Sequence, residues 1–137
     1  MNNEFYIGRK SSMEKVFTEE EVLMFSKTSQ DANPVHFDAE YAAKTRFGQR
    51  IVQGPFVASL IGGILGSALP GPGTIYIKQT TNFLKPVFIG ERITANVEIL
   101  NVREDKPVIT LRTWVEKENN ELAIDGEAII MFLNPVE

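Results

Sequence analysis

The sequence predicts an α+β fold in which one long apolar helix packs against an antiparallel sheet. Three observations carry this. From about Pro55 to Ala68, the apolar residues Val57, Leu60, Ile61, Ile64, Leu65 and Ala68 recur at helical spacing. After Gly73 the period falls to two: Ile93, Ala95, Val97 and Ile99 alternate with polar neighbours, as do Ile109, Leu111, Thr113 and Val115. Between the two regimes, Pro70-Gly71-Pro72-Gly73 stops the helix.

The helices can be justified in order. Thr18-Glu19-Glu20-Glu21 is a capping-box pattern, and it opens a first helix ending near Thr28 to Ser29. Asp38 caps a second, short helix through Ala42 and Lys44. The third starts at Pro55, where the missing N–H costs nothing. Its second face carries Ala58, Ser59, Gly62, Gly63 and Gly66, and neither face has a charge, so burial all round is expected. The interior glycines cost about 1 kcal/mol each relative to alanine. Close approach by sheet strands or by a ligand would offset that cost, and the spacing leaves both open.

Four strands are expected, beginning with Ile75 to Pro86 and ending with Leu122, Ile124, Ala128, Ile130 and Phe132, which Gly126 interrupts. Turns fall at Gly90-Glu91, Glu104 to Pro107 and Glu118 to Glu121, giving a meander. A single sheet wrapped on one helix leaves strand edges to be paired, which favours a homodimer or a higher homo-oligomer.

At 137 residues the chain is long enough for one domain, 1–137, with a real core. The net charge of −4 is no match for nucleic acid or an acidic membrane. With no cysteine and one histidine, disulfides and thiolate metal sites are excluded and a zinc site lacks nitrogen ligands. No signal peptide is visible in the polar first 15 residues, and no apolar run reaches the roughly 18 residues of a membrane span. A cytoplasmic protein is expected.

The single histidine, His36, directs attention to chemistry. Its unperturbed pKa range is the one suited to proton transfer near neutral pH. Asp31 precedes it by five residues, and the Asn33-Pro34 pair between them favours a turn. A carboxylate and an imidazole on one irregular loop can share a water molecule for acid–base work. The same residue types also cap turns in loops without chemistry.

The run Ser29-Gln30-Asp31-Ala32-Asn33-Pro34-Val35-His36-Phe37-Asp38 resembles the hydratase motif of MaoC-like (R)-specific enoyl-CoA hydratases, which are hot-dog-fold proteins. The resemblance continues through Arg50-Ile51-Val52-Gln53-Gly54, the apolar helix, Leu69-Pro70-Gly71, Phe83 to Val87 and Arg103 to Pro107. It spans about Phe17 to Phe132, and the length is similar to that of short bacterial enzymes that supply (R)-3-hydroxyacyl-CoA for polyhydroxyalkanoate synthesis.

The resemblance implies a hot-dog fold, a long central helix wrapped by a curved antiparallel sheet. It makes Asp31 and His36 the catalytic pair, with Asn33 orienting the loop. The Gly54 N–H would polarise the thioester carbonyl. That role has independent support, because Gly54 lies at a helix N-terminus, where unpaired N–H groups and the helix dipole favour negative charge. Since Pro55 has no N–H, a second donor must come from Phe56 or beyond. Leu65 and Ile130 match positions that line the acyl pocket in similar enzymes, with Ser59 and Gly62 on the adjoining helix face. If bulky Leu65 and Ile130 close that pocket, chains of about four to six carbons are preferred, each methylene being worth about 1 to 3 kcal/mol of discrimination.

The implied reaction is reversible syn hydration of a trans-2-enoyl-CoA to the (R)-3-hydroxyacyl-CoA, without metal or cofactor. Of Asp31 and His36, one takes the water proton and the other delivers a proton to C2, in an order left open. Acyl-carrier-protein substrates are a close variant. Gln53 stands where the family often has histidine, which excludes a proton relay there. Two alternatives sit on the same fold: an acyl-CoA thioesterase, and a non-catalytic acyl-CoA or acyl-carrier-protein binding module.

Overall fold

The computed structural model describes residues 4–133, so the extreme ends of the expected 1–137 domain lie outside the described residues. The chain runs β1 (Lys10–Val16), α1 (Glu19–Ser29), a 3-10 turn (Pro34–His36), α2 (Ala39–Ala43), α3 (Gly54–Ser67), β2 (Thr74–Phe83), β3 (Arg92–Val102), β4 (Val108–Lys117) and β5 (Leu122–Phe132). The five strands form one antiparallel sheet in the order β1-β3-β4-β5-β2.

The helix starts are where the cap residues place them. Thr18 Oγ1 accepts from Glu21 N at 3.1 Å, and the Glu21 carboxylate accepts from Thr18 N at 3.0 Å, a complete capping box. Lys15 bonds the same carboxylate and, with the Thr18 amide, holds its pKa below the usual range. Asp38 Oδ1 accepts from Glu40 N and Tyr41 N, both at 3.1 Å, at the start of α2.

Two strand expectations need correction. The first half is not purely helical, since β1 pairs with β3 from Lys10↔Glu98 to Val16↔Arg92. Its sequence, KSSMEKV, has no apolar alternation because it is an edge strand with most of its side chains in solvent. Nor is the sheet a plain meander. β3, β4 and β5 follow one another, but β2 pairs with β5 from Thr74↔Phe132 to Phe83↔Ile124. The connection 84–91 therefore crosses to the far side of the sheet, bonding Val52 N to Val87 O at 2.8 Å on the way. Gly126 does not break β5. A Cβ there would lie 2.0 Å from the Thr80 carbonyl oxygen, so glycine is what lets β2 come close enough to pair.

The core lies between α3 and the concave face of the sheet. Val57, Ile61, Ile64 and Leu65 meet Ile93, Val97, Ile99, Leu111, Val115 and Ile130, all buried. Burial of α3 all round does not occur. The sheet wraps one side, and Ser59, Gly63 and Gly66 on the other face are exposed, as is Ala68 just past the helix end. Beside that face runs β2, whose Ile75, Tyr76, Ile77 and Phe83 are each about half exposed. On the sheet itself, buried Trp114 of β4 donates its indole N–H to Glu116 Oε1 at 2.7 Å. The Arg112 guanidinium lies 4.3 Å from its ring centroid.

Candidate active site

The loop after α1 is built from interlocking side-chain caps. Gln30 ends α1 in the left-handed region at φ 67°. Asp31 Oδ1 accepts from Asn33 N at 3.1 Å, and Asn33 Oδ1 accepts from Val35 N at 3.2 Å. Pro34 then opens the 3-10 turn, and the Pro34 carbonyl accepts from Asp38 N at 2.8 Å. Asn33 therefore ties two successive turns of the loop together.

This loop aims two groups at each other. His36 Nδ1 lies 2.8 Å from the Ile51 carbonyl oxygen. A carbonyl only accepts, so Nδ1 carries a proton, and in the neutral tautomer this selects, the lone pair lies on Nε2. Nε2 lies 3.5 Å from Asp31 Oδ2. The two carboxylate oxygens thus have separate tasks, Oδ1 in the turn and Oδ2 facing the imidazole. The imidazole is nearly enclosed, at 8% side-chain exposure, while the carboxylate is 37% exposed. Two acceptors facing each other suit a bound O–H group such as water, which can give up a proton to either.

Ile51 links this pair to the start of α3. Its carbonyl receives the His36 proton and its N–H donates to Val35 O at 3.3 Å, three residues before Gly54. The Gly54 N–H makes no hydrogen bond among the described residues. The Phe56 and Val57 N–H groups both donate to the Gln53 carbonyl, at 3.0 and 3.1 Å, so neither is left unpaired as a further donor. A Cβ at Gly54 would lie 2.9 Å from the Phe83 ring, so a side chain here would push that half-exposed ring aside. Gly54, Phe83, Leu84 and Ile124 line a cavity of about 220 Å³ flanked by Arg46 and Lys85.

The expected site residues are not all brought together. Asp31 lines a separate surface cavity with Ser26, Lys27, Gln30 and Phe37, and His36 lines neither this cavity nor the one at Gly54. Ser59 and Gly62 line a groove of about 600 Å³ between α3 and β2, with Tyr76, Gln79 and Phe83. Leu65 and Ile130 lie fully buried in the core instead. Gly62 does not enlarge the groove, because the Tyr76 hydroxyl lies 3.1 Å from where its Cβ would be. Burial of this phenol raises its pKa.

Sequence reasoning missed Tyr76 and the wall role of Phe83. Nothing in the β2 sequence marks either, because a strand with both faces partly exposed has no apolar alternation. It also missed what Gln53 does. Gln53 is fully buried, and its Nε2 donates to Val22 O at 3.0 Å and to Ser26 Oγ at 2.9 Å. Its Oε1 has no hydrogen-bond partner among the described residues. An unpaired buried acceptor costs about 1 to 3 kcal/mol.

Comparison with known proteins gives a consistent answer. A family model for the MaoC like domain matches residues 4–121. An (R)-specific enoyl-CoA hydratase of Aeromonas caviae is 44% identical over 124 residues, covering 90% of this chain and 92% of that protein. A mitochondrial 3-hydroxyacyl-[acyl-carrier-protein] dehydratase of Solanum lycopersicum is 39% identical over 132 residues, 95% of this chain and 79% of that protein. The solved structure of an (R)-hydratase from A. caviae involved in PHA biosynthesis superimposes with a TM-score of 0.93 at 42% identity. It covers 96% of this chain and 99% of the other. The helix wrapped by a curved five-stranded sheet is therefore the hot-dog fold, and the chain belongs to the MaoC-like domain family.

Proposed function

We propose that this protein is an (R)-specific enoyl-CoA hydratase that adds water reversibly to a trans-2-enoyl thioester. The observation that carries this reading is the tautomer imposed on His36. With Nδ1 committed to the Ile51 carbonyl, Nε2 and Asp31 Oδ2 are left as facing acceptors, which suits holding one water. One of the two takes a proton from that water as its oxygen bonds to C3. The enoyl π electrons shift toward the thioester oxygen as an enolate. Because both facing groups start as acceptors, the group that took the water proton, and not its partner as expected from sequence, delivers it to C2 on the same face. The unpaired Gly54 N–H at the start of α3 suits the enolate oxygen, and one such donor is worth about 3 to 4 kcal/mol. Asp31, His36 and Gly54 are the catalytic groups in this scheme, with Asn33 as the brace.

Ser59, Gly62, Leu65 and Ile130 remain the proposed acyl-chain contacts. For the two core residues this requires the chain to enter from the α3 start between helix and sheet. A homodimer supplies the rest of the enclosure. The support is the uncharged outer face of α3 beside the half-exposed apolar residues of β2. No helix among the described residues is long and apolar enough to cross a membrane. A cytoplasmic location suits an enzyme of this chemistry.

Hydration of crotonyl-CoA, with chiral analysis of the product, tests the assignment. Formation of (R)-3-hydroxybutyryl-CoA is expected. Release of free CoA from saturated acyl-CoA without hydration would replace this reading with the thioesterase. The likeness to the Solanum dehydratase raises the acyl-carrier-protein variant. The ratio of kcat/KM for crotonyl-CoA and crotonyl-acyl-carrier-protein decides the carrier.

A further inference from the structure

Gln53 is a fully buried amide just before Gly54. Phe56, one helical turn away, stacks on Phe25 of α1 with centroids 4.6 Å apart and meets Phe17 at 4.7 Å. A leucine or methionine of similar volume would fill this buried position without leaving an unsatisfied oxygen. What an apolar residue could not supply is the pair of bonds from Nε2 to the Val22 carbonyl and the Ser26 hydroxyl. Both partners lie on α1, the helix that runs directly into the Asp31–His36 loop. Gln53 itself immediately precedes Gly54, and its own carbonyl receives the Phe56 and Val57 N–H groups. One side chain therefore links the helix that leads into the acid–base loop to the start of the helix carrying the unpaired Gly54 N–H.

The Phe25–Phe56 stack also joins α1 to α3 but fixes no direction as a hydrogen bond does, and the other polar links between these segments are weaker or indirect. Arg50 reaches Glu19 at 2.6 Å, but the Glu19 side chain is 66% exposed, where ion pairs contribute little. The His36 bond to the Ile51 carbonyl holds the imidazole and leaves α1 unrestrained. Ser26 also lines the cavity that contains Asp31, so the Gln53 tie reaches that cavity wall.

We propose that Gln53 is a positioning residue for the hydration reaction: its amide clamps α1 to the start of α3 and so sets the Asp31–His36 loop against the Gly54 N–H. This rests on the hydratase reading above. The clamp acts through two donors, so it needs no titration and works without a proton relay at this position.

The test uses the full-length protein and two independent readouts, crotonyl-CoA kinetics and amide hydrogen exchange. Gln53→Leu removes both donors at similar volume. It should lower kcat at least 10-fold with KM changed less than 2-fold. Exchange at Ile51 and His36 should rise at least 10-fold, with the amides of β3 and β4 unchanged. Ser26→Ala removes one tie and should lower kcat about 2- to 5-fold. Adding it to Gln53→Leu should produce no further loss, because the two act through one link. Gln53→His keeps one ring N–H and should recover part of the lost kcat. If Gln53→Leu stays folded and both kcat and loop exchange match wild type, the clamp is overturned. The same holds if exchange rises equally across the sheet, because that marks general destabilisation. Should wild type fail to hydrate crotonyl-CoA, the hydratase reading falls, and the exchange measurement alone still decides whether Gln53 holds the loop.

Discussion

The Asp31–His36 loop and the outer face of α3 lie on adjoining parts of the chain and are finished in opposite ways. In the loop, almost every polar group that could be left over has a partner within a few residues. Asp31 holds Asn33, Asn33 holds Val35, and Pro34 receives Asp38. The outer face of α3 has no such closure. Ser59, Gly63 and Gly66 are exposed without a charge among them, and neither Gly63 nor Gly66 has any atom within 4 Å of an added Cβ. A polar loop can complete itself locally because hydrogen bonds are short and directional. An apolar face is completed only by another surface, because burying it needs area. In the proposed reading, chemistry belongs to the self-sufficient region and dimer assembly to the open one, while chain-length selection falls to the buried side of α3.

The comparison breaks most sharply at the pair. His36→Ala and Asp31→Ala should each lower kcat at least about 100-fold, the lower end for a lost general acid–base group. Circular dichroism should show a folded chain in both cases. A His36→Ala variant with near wild-type turnover would sink the mechanism. Next in size is the buried side of α3. Leu65→Ala should cost about 2 to 5 kcal/mol in denaturant unfolding, as for other large-to-small core changes. If Leu65 and Ile130 end the acyl pocket, Leu65→Ala and Ile130→Ala should also shift the preferred chain beyond about four to six carbons. An unchanged profile across a chain-length series would place the pocket floor elsewhere.

The open face gives smaller and more diagnostic effects. Ile77→Lys on β2 should weaken the dimer at least tenfold by sedimentation, while Ser12→Lys on the already charged β1 edge should leave it unchanged. A fully active wild-type monomer would refute the dimer and require the site to close within one chain. Gly63→Ala is the finest probe, because its sign carries the answer. On a face that stays open, alanine should stabilise the helix by about 1 kcal/mol. Against a packed partner the added methyl should instead destabilise the dimer.

The same contrast explains what was legible in the sequence. Thr18, Asp38 and Pro34 act on backbone groups one to four residues away, so the helix starts and the loop could be read directly from their spacing. The buried stripe Val57, Ile61, Ile64 and Leu65 was legible for the related reason that one helix face meets one sheet. β1 was not, because an edge strand paired on one side and solvated elsewhere needs no apolar pattern. The pairing of β2 with β5 depends on which strand is free after the meander forms, a property of the whole sheet. Within the candidate site, Asp31 and His36 could be picked out by residue type and spacing, and Asn33 and Gly54 through the family resemblance. The Ile51 carbonyl that selects the His36 tautomer could not, since every residue has one.

Trp114 gives these experiments an internal optical reference. It is the single indole of the chain, shielded within β4 by its bond to Glu116 and by the Arg112 cation above its ring. It belongs neither to the Asp31 cavity nor to the Gly54 cavity. Its fluorescence spectrum therefore follows the integrity of the sheet and should stay constant when only the loop or the start of α3 is altered. A red shift on substitution at position 31, 36 or 53 would mean the sheet has opened to water. A constant spectrum beside a collapsed turnover assigns the loss to the site itself, in the same cuvette and without a second label.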